Sequence, residues 1–332
     1  MVLTPLIMPT LRAGCSVWAN LRFHMTSQLI FATRPSALAR WQTGYIVDLL
    51  NTHWDDLLFE SLVITTKGDR VLDKTLPEIG GKGLFTSELE QALRDGRVHA
   101  AVHSLKDLPT DDPEGLTVGA IPKRADFRDV LICPAGLTLD ELPIGAVIGT
   151  SSIRRRAQIL AYRADLKIEP IRGNVDTRIR KTSQGQYDAI VLAAAGVTRL
   201  GLQDHITQYL PLEIMLPAPG QGALAVQCRR DDEQTLSRLG VIDHIDTRLA
   251  VTAERAFLAA LGGGCSLPIA ALAQVQAGKI TMQTVVVTPD GSRALPLTAS
   301  GEDPLVLGTG LAQRALEHGA GDYLASSLAG AE

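Results

Sequence analysis

Short apolar runs alternate with amphipathic helical segments along most of the chain, and polar residues gather where the runs end. Leu29 to Thr33 stops at Arg34-Pro35, and Ser36 then opens a helical pattern through Ala39, Ile46 and Leu50. Leu62 to Thr65 reads as a second strand. The glycine-rich stretch Gly80 to Gly83 follows, and Ser87 and Glu90 have the spacing of a capping box for a helix reaching Arg94. Ala100 to Val102 reads as a third strand, ending at His103-Ser104. Such alternation predicts strands covered by helices, an α/β fold, with ligands gathered at the strand ends.

The pattern repeats further on: strands Ala146 to Gly149, Lys167 to Ile171 and Ala189 to Leu192, with helices Ser152 to Arg163 and Val175 to Thr182 between them. Ile121-Pro122 and Leu216-Pro217-Ala218-Pro219-Gly220 bracket this second unit, since neither continues a helix. A strand at Ala223 to Cys228 follows. Asp246 to Leu261 is an amphipathic helix halted by Gly262-Gly263-Gly264, and two strands with one or two helices are expected after it.

At 332 residues the chain is long enough for two or three domains. A net charge of -4 gives no bulk attraction to nucleic acid, so any anion site must be local. Arginines outnumber lysines 24 to 8, which favours bidentate grips on carboxylate or phosphate if the arginines cluster, and is codon bias if they do not. Cys15, Cys133, Cys228 and Cys265 are too scattered for a metal or redox motif, which points to a reducing cytoplasm. No run of about 18 apolar residues predicts a membrane span. Residues 1–27 read as a leader, either an acid-poor organellar transit segment or sequence upstream of a start at Met25.

Three predicted strand ends carry the chemistry: Arg34 and Ser36; His103, Ser104, Lys106 and Asp107; Thr150, Ser151, Ser152, Arg154, Arg155 and Arg156. Arg172-Gly173-Asn174 and Arg178 add guanidinium beside a helix start, where free amides and the dipole also favour anions. Each feature has a plainer explanation. Thr150-Ser151-Ser152 has the composition of a helix cap, and Arg154 to Arg156 cannot all share one helix face. Lys106-Asp107 by itself is an exposed ion pair of small worth. Cys265 by itself reads either as a small buried hydrophobe or as a thiol left reachable by the glycines before it. Gly80-Gly81-Lys82-Gly83 lacks the spacing and terminal Lys-Ser/Thr of a P-loop.

Taken together, Ala32-Thr33-Arg34-Pro35-Ser36-Ala37-Leu38-Ala39, Gly80-Gly81-Lys82-Gly83-Leu84-Phe85, Val102-His103-Ser104-Leu105-Lys106-Asp107, Gly149-Thr150-Ser151-Ser152-Ile153-Arg154-Arg155, Arg172-Gly173-Asn174, Pro219-Gly220-Gln221-Gly222 and Gly263-Gly264-Cys265 resemble the signatures of porphobilinogen deaminases, in the family's order. The resemblance runs from about residue 28 to the end. It implies two lobes similar to type II periplasmic binding proteins around a central cleft, plus a smaller C-terminal α+β domain. The corresponding domains are 28–122 with 223–240, 123–222, and 241–332. It also implies a dipyrromethane cofactor joined by a thioether to Cys265, on which porphobilinogen units are condensed head to tail with loss of ammonia to give hydroxymethylbilane.

By the same resemblance Asp107 is the catalytic carboxylate, facing the positive charge that develops on the pyrrole nitrogen. Lys106, Thr150, Ser151, Ser152, Arg154 and Arg155 hold the cofactor with Asp107, and Arg34, Ser36, Arg172 and Arg178 meet the substrate. Gln221 falls on the substrate side or the hinge, Arg156 outside the site, and Asp176 departs from the small or neutral residue expected there. No metal, nucleic-acid partner or membrane partner is implied, and the protein is expected to be monomeric. A solute-binding or sensor protein, the rival from another class, would not need Cys265. A nucleic-acid binder using Arg154 and its neighbours would lose affinity steeply with salt.

Overall fold

The computed structural model describes residues 27–70, 83–263 and 267–329. In the first of its three sheets, Leu29 and Phe31 of β1 (Ser27–Thr33) share a cluster with Ile46 and Leu50 of helix α1 (Ala37–Asn51). Ala32 of β1 belongs to the cluster on the other face. Burial on both faces is why the middle of this strand, Leu29 to Ala32, is wholly apolar. β2 (Leu57–Val63) and β3 (Ala100–Ser104) pair with β1 in parallel, with helices α2 (Lys67–Arg70) and α3 (Ser87–Arg94) between them in sequence, and β4 (Leu116–Ala120) closes the far edge.

The chain then crosses to a second sheet. It comprises β5 (Asp129–Ile132), β6 (Val147–Gly149), β7 (Lys167–Glu169), β8 (Ala189–Ala193) and β9 (Gln208–Tyr209), in the order β7-β6-β8-β5-β9. Helices α4 (Ile153–Tyr162), α5 (Val175–Ser183) and α6 (Ala194–Arg199) accompany these strands. The return segment leads to β10 (Leu224–Arg229), inserted antiparallel between β3 and β4 in the order β2-β1-β3-β10-β4. In each sheet the fourth strand in order, β5 or β10, runs against its neighbours and is the one by which the chain arrives from the other sheet. Two α/β lobes of like topology joined by two crossing segments make the type II periplasmic-binding-protein arrangement.

The two crossings lie side by side. Ala125 N donates to Gly222 O at 3.2 Å, and Arg124 Nε donates to Gln221 O at 2.7 Å. Gly222 has φ +85°, and a Cβ there would come within 2.7 Å of Ala125 O, so only glycine permits this approach.

After α7 (Glu233–Gly240), helix α8 (Ile245–Ala260) enters the third unit. Its sheet is the antiparallel meander β11 (Ile269–Gln276), β12 (Lys279–Val287) and β13 (Ala294–Gly301), followed by α9 (Pro304–Glu317) and α10 (Ala320–Ala329). One face of that sheet packs on Phe257 of α8 and Leu311 of α9. The other face gives Ala270, Leu272, Val285 and Val287 to a cluster with Ala157 of α4 and Leu216. Val251 of α8 packs on Leu105, Leu108 and Ala223, so the third unit touches both lobes.

Several local readings need correction. The second strand is Leu57–Val63, and the run Leu62 to Thr65 marks only its end; β2 is an edge strand with much of its length exposed, which blurs its apolar signal. Ser87 is the first helical residue rather than a cap, and its hydroxyl donates to Gly83 O instead of closing a capping box. The third unit has three strands after α8, not two, because β13 alternates exposed and half-buried residues and contains Pro296. Among the described residues no helix is long and apolar enough to cross a membrane. The leader expected over residues 1–27 lies, but for Ser27, outside the described residues, as does the loop from Gly80 to Lys82.

Candidate active site

The strand ends of the two lobes face each other across a cavity of about 230 Å3. Arg34, Ser36 and Lys106 line it from the first lobe, and Arg155, Arg178 and Arg199 from the second. Ser36 caps α1 by accepting from Ala39 N at 3.2 Å, so one side chain both starts the helix and faces the cleft.

Arg34 follows β1. Its guanidinium makes a two-point bond to Asp69 and lies 4.2 Å over the Phe85 ring. Burial pushes the Asp69 carboxyl up, but hydrogen bonds from Arg34 and Thr66 outweigh it and hold the group below its usual range. Asp69 was not foreseen; the polar turn Thr66-Lys67-Gly68-Asp69 after the second strand is the signal that marks it.

Lys106 and Asp107 occupy a single 3-10 turn, Leu105–Asp107, directly after β3. Lys106 Nζ donates to Gln221 Oε1 at 3.3 Å, which ties the turn to a crossing segment. Burial first, and then the nearby Arg155, bring the Lys106 amine down to about 8 against the pull of Asp107 and Asp129. Asp107 is exposed and, among the described residues, its side chain makes no hydrogen bond or ion pair. It lies outside the lining of the cavity.

Thr150-Ser151-Ser152 is pinned by its own backbone network. Thr150 Oγ1 accepts from Ser152 N at 3.2 Å, Ser151 Oγ donates to Ile171 O at 2.7 Å, and Ser152 caps α4. The capping alternative therefore holds for Ser152. Arg154 and Arg155 are both buried, while Arg156 is exposed, as the helix geometry required. Arg154 pairs with Asp129 at 2.7 Å and donates to Leu216 O at 2.6 Å, behind the cleft wall. Arg155 pairs with the same carboxylate at 2.8 Å and donates to Val191 O, but reaches the cavity.

Asp129 is the main residue missed. Its carboxylate is 0% exposed, binds both guanidinium groups and accepts from Gln221 Nε2 at 2.9 Å. Burial raises its carboxyl, yet Arg154, Arg155 and Lys106 outweigh that and hold it down to about 2. Gln221, itself fully buried, thus bridges Lys106, Asp129 and Phe127 O at the crossing.

Arg178 donates to Gly173 O at 2.8 Å, and the carbonyl of Arg172 accepts from Lys181. Burial, then Arg155 and Arg172, brings Arg178 down to about 10. Asp176 is exposed at the cavity lining. Arg199, also missed, donates to Gly222 O at 2.8 Å, lies 5.7 Å over Trp41 and is lowered to about 10 by burial. Its signal was its place at the end of the short helix that follows an apolar strand.

The cleft holds more guanidinium and ammonium than carboxylate; burial lowers Lys106, Arg178 and Arg199, and neighbouring cations add to the shift on Lys106 and Arg178. A ligand with several carboxylates matches it. Cys265 lies outside the described residues; Gly263, two positions earlier, sits where a Cβ would be 3.1 Å from Thr110 Oγ1.

The shift on Lys106 has a measurable sign. The amine carries its charge below about pH 8 and loses it above, so KM for an anionic substrate is expected to rise as pH passes 8. The stability cost of burying the charge is present below 8 and is released between 8 and the ordinary 10.5. Lys106→Arg does not titrate there and should lack the KM limb; a limb that persists in this variant belongs to another group.

Family models and curated relatives identify the chain's family. Residues 29–237 match the family model for the porphobilinogen deaminase dipyromethane cofactor binding domain, and residues 248–317 match the model for the porphobilinogen deaminase C-terminal domain. The chain is similar to the porphobilinogen deaminase of Brevibacillus brevis, 55% identical over 297 residues, covering 89% of this chain and 96% of that one. It is similar to that of Pelotomaculum thermopropionicum, 48% identical over 302 residues with 90% and 97% covered. Among solved structures, the methionine binding protein MetQ aligns with a TM-score of 0.42 at 11% identity, covering 65% of this chain and 90% of that one. The BvgS periplasmic VFT2 domain of Bordetella pertussis aligns with a TM-score of 0.40 at 15% identity, covering 64% and 85%. The chain belongs to the porphobilinogen deaminase family.

Proposed function

We propose that Asp107 and the cationic wall around it carry out the family's reaction in this cleft. The chain deaminates porphobilinogen and joins the pyrroles head to tail on a dipyrromethane cofactor. In each cycle the aminomethyl C–N bond breaks, ammonia leaves, a C–C bond forms to the free α-carbon of the growing chain, and that carbon gives up its proton. Cys265 would hold the dipyrromethane by a thioether, and the bound cofactor would offer the first free α-carbon.

The observation that carries the reading is the convergence of Arg34, Lys106, Arg155, Arg178 and Arg199 on one cavity, beside the turn bearing Asp107. Pyrroles with acetate and propionate arms bring two carboxylates per ring, and guanidinium binds them in pairs of parallel hydrogen bonds. Lys106, Ser152 and Arg155 hold the cofactor's carboxylates, Thr150 and Ser151 fix the start of α4, and Arg154 acts through Asp129 from behind the wall. Arg34, Ser36, Arg172, Arg178 and Arg199 receive the substrate. Gln221 joins the turn to the crossing. Asp107 accepts pyrrole N–H, offsets the positive charge formed as ammonia leaves, and relays the proton.

The same reading takes 28–122 with 223–240, 123–222 and 241–332 as the three domains. It places the protein in the cytoplasm as a monomer without nucleic-acid or membrane partners, supported by the net charge of -4 and by cations gathered inside a cleft. Incubation with porphobilinogen is expected to release one ammonia per monomer consumed. Unconsumed monomer and no ammonia would refute the function.

A further inference from the structure

Helix α8 leads directly into the loop that bears Cys265, and one of its side chains also reaches the turn that bears Asp107. The Arg255 guanidinium donates to three consecutive carbonyls, Leu108 O at 3.3 Å, Pro109 O at 2.6 Å and Thr110 O at 3.2 Å. These residues immediately follow the 3-10 turn Leu105–Asp107. Val251, one turn earlier on α8, packs on Leu105 and Leu108. Thr110 in turn approaches Gly263, two residues before Cys265. Helix α8, Gly263 just beyond it and the stretch 105–110 therefore form a continuous set of contacts, with Arg255 as the polar link.

We propose that Arg255 is a positioning residue, which sets where the Asp107 carboxylate stands at the end of β3. It does not line the cleft. The proposal rests on the role given above to Asp107 and adds the residue that holds the turn bearing it. A planar fork suits this task, because its two terminal nitrogens reach three carbonyls at once, whereas a lysine ammonium on a flexible stem acts as a point charge. The bonds run to backbone, so they restrain the path of the chain just after Asp107. Misplacing a reacting group by about 1 Å can cost about 100-fold in rate.

The test compares the full-length holoprotein with Arg255→Gln, Arg255→Lys, Asp107→Asn and the double variant Asp107→Asn/Arg255→Gln. Arg255→Gln should keep the dipyrrole mass increment and a KM within about twofold, while kcat falls about 100-fold. In the Asp107→Asn background the same change should cost almost nothing further, because the group it positions is already gone. A purely structural role would multiply the two losses and raise KM, and that result, or an unchanged kcat, would overturn the proposal. If Arg255→Gln does not fold, Arg255→Lys alone and in the Asp107→Asn background is judged by the same two criteria. Failure of the underlying reading is separable, since Asp107→Asn alone would then turn over normally whatever Arg255 does.

Discussion

Asp129→Asn is expected to lower unfolding stability by about 3 to 5 kcal/mol and to abolish most elongation. The carboxylate is wholly buried and serves Arg154 at 2.7 Å, Arg155 at 2.8 Å and the Gln221 amide at 2.9 Å. An amide keeps the shape but leaves two buried guanidinium groups without a counter-charge, and an uncompensated buried charge is among the most costly defects a fold can carry. Arg155 also reaches the cleft, so losing its anchor should misdirect a ligand-binding group. The pH dependence has a definite sign. With its carboxyl held to about 2 against an ordinary 3.8, Asp129 contributes stability that is complete above pH 3.8 and is lost as pH falls toward 2. Denaturant midpoints measured from pH 7 downward should show wild type and variant converging in acid. A variant as stable as wild type at pH 7 would show that the pair contributes nothing.

Asp107→Asn is expected to retain the cofactor and lose about a thousandfold in turnover. A carboxylate about 4 Å from a developing cation contributes about 4 kcal/mol at an effective dielectric near 20, and each 1.36 kcal/mol is a factor of ten in rate. Asparagine can still accept one pyrrole N–H but offers neither the charge nor the proton relay. The exposure of Asp107 suits a group meant to meet a ligand rather than a protein partner. Single-turnover measurement of ammonia release isolates the step, and near-normal release would remove Asp107 from its role.

How much of this was legible depended on how local the cause was. The alternation of strands and helices showed because each buried strand, such as Leu29 to Thr33, satisfies its burial within a few residues of sequence. The cationic strand ends showed for the same reason. Asp129 and Asp69 did not, because their value lies in partners 25 to 35 positions away, Arg154 and Arg34, and nothing in a one-dimensional pattern tells a buried counter-ion from a surface acid. Arg154 accordingly reads from sequence as a ligand contact and stands in the structure behind the wall. Gly222 shows in the sequence only as part of a motif, and its purpose, a φ of +85° that allows the close approach of two crossing segments nearly a hundred residues apart, is visible only in the structure. β13 was missed because an edge strand with Pro296 and alternating exposure buries too little to leave an apolar run.

The whole account depends on an oligopyrrole tethered through sulfur within a cationic cleft. Intact-mass measurement of the purified protein tests it most directly. One dipyrrole unit above the sequence mass, absent from Cys265→Ser, is the expected result; a fully active wild type at its bare sequence mass would contradict it.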